Sequence, residues 1–264
     1  EGNRYMDMLA SYSALNQGHR HPRIIEALVE QAGRVTLTSR AFHNDRIGPF
    51  MEKLAKLAGK DKVLLMNSGA EGVETAVKAA RKWGYKKKGV APDKAEIICM
   101  GNNFHGRTVT IVGFSTEEQY KDGFGPFTPG FKVVKYGCPG ELNAAINENT
   151  VAVLMEPIQG EGGIILPQEG YLKSVEKMCK ENNVLLMLDE IQTGFGRTGK
   201  LFCYEHEDVE PDVIIVGKAL GAGVIPVSGI ICDDEVMDVF NPGDHGSTFG
   251  GNPLGCAVGE AAID

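Results

Sequence analysis

Long hydrophobic runs are missing from this 264-residue chain: no apolar stretch approaches the roughly 18 residues that a membrane-spanning helix needs. An excess of positive charge is missing too. Twenty-seven Lys and Arg stand against 35 Asp and Glu, for a net charge of -8, which argues against nucleic acid and against anionic membrane as partners. Cysteine pairing is lacking. Six cysteines (Cys99, Cys138, Cys179, Cys203, Cys232 and Cys256) are scattered with no C-x-x-C pair and no zinc spacing. They read as reduced thiols, and the cytoplasm is the expected location. His19 and His21 have no evident third ligand, so no metal is expected. There is no internal repeat, low-complexity stretch or clear linker. The sequence opens at Glu1 without an initiator Met or targeting segment and stops at Asp264 inside an apparent helix. We therefore expect a piece of a longer protein, whose organellar targeting stays open.

What is present is ordinary globular chemistry, 42% apolar and 23% charged. Short apolar runs recur at 63–66, 97–100, 151–155, 184–188, 213–216 and 227–232. Most lack polar alternation, as strands covered on both faces do. Helical stripes lie between several of them: Ile25, Leu28, Val29 and Ala32; Val73, Ala76, Val77 and Ala80; Leu172, Val175 and Cys179. Asn252-Pro253 is a good cap and first turn for a helix over 254–263. The stretch from Gly113 to Gly130, rich in Gly and Pro, is expected to be a structured surface excursion. Strand alternating with helix predicts an α/β domain with a mostly parallel sheet.

In such sheets chemistry gathers outside the carboxyl ends of the strands. After 63–66 comes Asn67-Ser68-Gly69-Ala70-Glu71, an S-x-x-E capping box opening a helix. Asn102-Asn103-Phe104-His105-Gly106-Arg107 follows the second run, Asp189-Glu190-Ile191-Gln192 the fourth, and Gly217-Lys218-Ala219 the fifth. Each alone is weak, since a lysine after a strand is usually solvated and Asp-Glu is commonly a cap. Two rival motifs fail on context. Gly217-Lys218 is no Walker loop, because Ala219 stands where Ser or Thr must bind magnesium, and Gly160-Glu161-Gly162-Gly163 opens no convincing helix.

Together the four segments suit one cofactor, pyridoxal phosphate (PLP). Its aldehyde needs a lysine, its pyridine nitrogen a carboxylate, its phosphate a helix N-terminus and its ring a flat cover. Lys218, Asp189, Ser68-Gly69-Ala70 and Phe104-His105 fill these roles in turn.

The strings MNSGAEGVETAVKAARKWGY, NFHGRT, EPIQGEGG, LLMLDEIQTGFGRTGK, VGKALGAG and HGSTFGGNP resemble the class III aminotransferases over nearly the whole chain. The resemblance implies the aspartate aminotransferase type of fold (fold type I), with residues 20–264 in a large PLP domain. Residues 1–19 would belong to a small domain completed by a C-terminal part not included here. It implies a homodimer with shared active sites, and amino acids and 2-oxo acids as substrates. SYSALNQGHRHP, TLTSRAF, ARKWGY and DGFGPFTPGF are most similar to members that move the δ-amino group of ornithine to 2-oxoglutarate, which links arginine and proline metabolism. Acetylornithine or another ω-amino acid is the alternative donor. A PLP enzyme of another reaction type and a non-catalytic module are further alternatives.

The resemblance also distributes roles. Lys218 would bind the cofactor covalently and Asp189 would hold the pyridine nitrogen. Gln192 would approach the phenolic oxygen, while Phe104 and His105 would border the ring. Arg107 would grip a substrate carboxylate, and Glu161 would mask an arginine of the small domain. Tyr12 would line the ornithine-selective end, and Ser247 with Thr248 would reach the partner's phosphate. His105 departs from relatives that carry Trp there, keeping a flat surface but adding a titratable group.

Overall fold

The computed structural model describes residues 2–264. Seven strands form one sheet: β1 (Lys62–Met66), β2 (Glu96–Met100), β3 (Phe131–Val134), β4 (Thr150–Met155), β5 (Leu185–Asp189), β6 (Val213–Val216) and β7 (Ser228–Cys232). Their spatial order is β1-β7-β6-β5-β4-β2-β3. The pairings from β3 through β6 are parallel, whereas β7 runs antiparallel to both β6 and β1. Two reversals restore direction, so β1 points the same way as β6. Its carboxyl end, leading into Ser68, therefore reaches the same sheet edge as Lys218.

The missing polar alternation has its cause in the layers. Every residue of β4, β5, β6 and β7 is buried. Successive residues alternate between two apolar layers: Ile98, Val153, Leu186, Ile214 and Ile231 face one, and Ile97, Leu154, Met187, Ile215 and Ile230 the other. Helices Ile47–Ala58 and Tyr171–Glu181 cover the first layer with Phe50, Leu54, Leu172 and Val175. Helix Gly69–Trp83 covers the second with Val73, Ala76, Val77 and Ala80. The stripes read at Val73–Ala80 and Leu172–Cys179 are among these faces. The one read at Ile25, Leu28, Val29 and Ala32 is not the buried face of helix Pro22–Ala32, which buries Ile24 and Gln31 and leaves Val29 and Ala32 exposed. Truncating one such side chain, Leu186→Ala for example, is worth about 2–5 kcal/mol.

Helix Pro253–Ile263 starts where expected, with Asn252 Oδ1 accepting from Gly255 N at 2.7 Å. The excursion 113–130 holds a single 3-10 turn, Glu118–Tyr120. The amino-terminal segment is pinned to this unit by Asn16 Nδ2, which donates to Phe195 O at 3.1 Å, and by Gln17 Nε2, which donates to Ala262 O at 3.0 Å. Among the described residues, no helix is long and apolar enough to cross a membrane.

Candidate active site

Five strand ends converge on one cavity. From β1 come Gly69 and Ala70, from β2 Phe104, His105 and Gly106, and from β4 Glu156 and Ile158. From β5 come Asp189, Ile191 and Gln192, and from β6 Lys218. The cavity holds about 160 Å³. An adjoining space of about 330 Å³ shares Gly69 and Lys218 and adds Asn67 and Ser68.

Lys218 stands on strained backbone, with φ of 42° after an extended Gly217. A lysine gains nothing intrinsically from the left-handed region, so the surrounding structure holds it there, as happens where geometry serves chemistry. Burial lowers its pKa, and the negative charges of Asp189, Glu161 and Glu156 oppose that only in part. A lysine shifted this way is a better nucleophile and base than a solvated one.

Asp189 closes β5 and is buried. Its Oδ1 accepts from Ile191 N at 3.0 Å, and its Oδ2 accepts from His105 Nδ1 at 2.7 Å. The pairing gives His105 a job beyond that of a flat surface. Burial alone would lower the imidazole pKa, but the bond to Asp189 and the charges of Asp189 and Glu156 outweigh it, leaving the pKa above its ordinary value. His105 Nε2 is buried without a hydrogen-bond partner.

The capping box is formed. Glu71 N donates to Ser68 Oγ at 3.3 Å, and Ser68 N donates to Glu71 Oε2 at 2.7 Å. Ser228 Oγ, at the start of β7, donates to Ser68 O at 2.6 Å and fixes the turn from the other side. The helix of 15 residues that follows turns its amino terminus toward the cavity wall at Gly69 and Ala70. Ile191 packs over Gly69, where an added Cβ would lie 3.0 Å from Ile191 Cδ1.

The other expected residues are placed less uniformly. Gln192 lines the cavity and donates through Nε2 to Glu161 Oε1 at 2.9 Å. Gly160 makes room for that bond, since a Cβ there would come within 1.8 Å of Gln192 Oε1. Arg107 lines a neighbouring cavity instead, its guanidinium 4.6 Å from the Tyr120 ring centre and 5.8 Å from that of Phe104. Tyr12 is 55% exposed, in a turn of positive φ, and is not among the cavity's lining residues. Ser247 Oγ accepts from Asn67 Nδ2 at 2.9 Å, one residue before the Ser68 cap of its own chain; Thr248 is exposed.

Sequence reading passed over Glu156. It directly follows β4, the one buried run whose carboxyl end yielded only the more distant Glu161, so the strand-end rule could have found it. Its Oε2 accepts from Phe104 N at 3.2 Å and its Oε1 from Gly160 N at 3.4 Å, joining two loops. Burial pushes its pKa up to about 7.

A half-buried lysine, a carboxylate ending a strand, a capped helix start and an aromatic wall fit PLP. The unpartnered His105 Nε2 shows that this wall carries more polar capacity than the protein alone satisfies.

The family model for aminotransferase class-III matches residues 1–264. This chain belongs to the class-III aminotransferases. These enzymes use PLP. The chain is 62% identical over 264 residues to an ornithine aminotransferase of Brevibacillus brevis, covering all of this chain and 66% of that protein. It is similar, at TM-score 0.98 and 52% identity, to an ornithine aminotransferase of Toxoplasma gondii whose structure shows partial occupancy of PLP at the active site. That match covers 99% of this chain and 62% of the other. An acetylornithine aminotransferase from Elizabethkingia anophelis follows at TM-score 0.87 and 50% identity, with 98% and 62% covered. The chain thus spans just under two thirds of the length of these class-III relatives.

Proposed function

We propose that the protein transfers the δ-amino group of ornithine to 2-oxoglutarate, giving glutamate 5-semialdehyde and glutamate. The observation that carries the reading is Lys218, strained and half-buried, in one cavity with the His105-paired Asp189. Ornithine is favoured as donor by the relatives at 61–62% identity, which bear that name. Acetylornithine is the second reading, favoured by the solved relative that acts on it at 50% identity.

Bound PLP supplies an aldehyde and an electron-withdrawing ring that make a substrate C–H bond acidic. Lys218 Nζ would hold the cofactor and, when free, would be the group that takes a proton from the substrate δ-carbon and returns one. Asp189 would pair with the pyridine nitrogen, and His105, donating to Asp189 Oδ2, holds that carboxylate in place. Gly69 and Ala70 would offer the free N–H groups of the helix start to the phosphate, and Ser68, whose own N–H is tied to Glu71 Oε2, would border it. Phe104 would cover the ring, and Gln192, which donates to Glu161, would serve the phenolic oxygen. Arg107 grips a carboxylate of the oxo acid with its fork of donors. Tyr12, exposed in its turn of positive φ, would line the ornithine end once that turn moves inward.

The active assembly in this reading is a two-fold dimer with cross-chain contacts from Ser247 and Thr248. Its support is the exposed apolar surface at Phe42, Phe124 and Phe249, which are 72%, 61% and 57% exposed. A spectral titration tests the reaction. The visible band of the PLP-loaded protein should bleach with ornithine, return with 2-oxoglutarate and respond far less to N-acetylornithine. Bleaching by N-acetylornithine in preference would assign the second donor, and no band at all would leave a binding module.

A further inference from the structure

Arg107 makes no ion pair and donates no hydrogen bond among the described residues, yet its guanidinium is not loose. It lies over Tyr120 at 4.6 Å, and Tyr120 in turn meets Phe104 edge-on with ring centres 6.0 Å apart. Tyr120 ends the 3-10 turn Glu118–Tyr120, whose last two N–H groups are tied to Glu117: Tyr120 N donates to Glu117 O at 3.1 Å and Gln119 N to Glu117 Oε1 at 3.2 Å. The phenol hydroxyl takes no part in any described hydrogen bond. The ring face, rather than the hydroxyl, is what this residue contributes.

The neighbouring cavity, about 490 Å³, is bounded by Arg107, Gln119, Tyr120 and Phe124. One aromatic ring therefore touches both the cation that borders this space and the phenylalanine that borders the PLP cavity. Stacking leaves the in-plane donors of a guanidinium free, and those are the donors a carboxylate uses. A long, unpaired arginine without such a shelf would spread over many rotamers, and ordering it would cost binding energy.

We propose that Tyr120 is a positioning residue that presents Arg107 to the carboxylate of the oxo-acid substrate, and thereby sets the enzyme's preference for dicarboxylate acceptors. The proposal rests on the reading of Arg107 as the carboxylate-binding residue. It adds that the shelf lies in the 113–130 excursion, away from the strand ends, so acceptor preference and cofactor binding are separable.

The test uses the PLP-loaded protein, with two readouts. The first is the dissociation constant of glutarate, a dicarboxylate that binds without reacting; the second is the rate of each half-reaction against substrate concentration. Tyr120→Leu should weaken glutarate about 3- to 30-fold, the range of a stacked cation. It should raise the 2-oxoglutarate concentration for half-maximal rate by a similar factor, leaving the maximal rate and PLP retention unchanged. Tyr120→Phe should match the parent within about two-fold, because the ring is kept. The double variant Tyr120→Leu with Arg107→Lys should be little weaker than Arg107→Lys alone, as expected of coupled residues.

If Arg107→Lys weakens glutarate but Tyr120→Leu does not, the shelf is wrong and Arg107 stands. If Arg107→Lys has no effect, the carboxylate reading fails and takes the shelf with it. If Tyr120→Phe is as impaired as Tyr120→Leu, the hydroxyl acts and the stacking account is overturned. Should Tyr120→Leu lower the thermal midpoint, the Phe variant and the double variant still decide.

Discussion

At the scale of single residues, the site is an arrangement of protons held out of water. Glu156 and Glu190 are both buried, and burial lifts each from an ordinary value near 4.5 to about 7. Glu190 serves the fold: its Oε1 accepts from Tyr204 N at 3.0 Å and its Oε2 from Thr193 Oγ1 at 2.5 Å. Between those two pH values the folded chain binds more protons than the unfolded one, so stability falls as pH rises. His105, also raised, has the same sign: its contribution is full below the unfolded pKa and is lost as pH rises through the folded one. Unfolding measured from pH 4.5 to 7.5 should therefore show a downward slope from these groups. Glu156→Gln should flatten that slope and keep more of its stability at the alkaline end. A variant whose stability tracks the parent across the window would show that Glu156 ionises in the fold as easily as in water.

At the scale of elements, the Ser68 turn is the clearest link from sequence to function. The S-x-x-E pattern announced a capped helix, and the cap is closed in both directions. Ser68→Ala removes one half of the box and should cost about 1 kcal/mol of stability. It should also weaken PLP binding by more than that loss explains, if the same turn cradles the phosphate. PLP affinity unchanged beside a lowered unfolding midpoint would leave Ser68 a cap and nothing more. Elements like this one were legible because local chemistry specifies them, as did the apolar runs that became β1, β2, β4, β5, β6 and β7. The edge strand Phe131–Val134 escaped notice because only Val134 in it is buried, so its apolar signal is weak. The bond between His105 and Asp189 was illegible for another reason. It spans 84 residues, and only the spatial order β5-β4-β2 brings those two strand ends together. Arg107 and Tyr12 were assigned by resemblance. Their positions outside the cavity follow from side-chain placement and a left-handed turn that no local pattern declared.

At the scale of the whole molecule, the sheet acts as a register that lines up carboxyl ends. Five strand ends supply the cavity, and the double reversal through β7 is what brings the β1 end to the others. The Gly246–Asn252 segment belongs to this scale as well. Ser247 reaches Asn67 within its own chain, while Thr248 and Phe249 stay exposed and available to a second copy. Mixing Lys218→Ala chains with Thr248→Ala chains tests whether sites are shared. If Thr248 acts across a two-fold axis, each mixed dimer has one site with both defects and one with neither, and activity should partly return. Mixed dimers that form without any recovery would confine Thr248 to its own chain.

Lys218 is the attachment point on which the proposed chemistry depends. Borohydride reduction of the PLP-loaded protein, followed by peptide mapping, reads the attachment point directly. Label on Lys218 alone, and none in a folded Lys218→Ala variant, is the expected result. Label on another lysine, or undiminished label in that variant, would contradict the site as described.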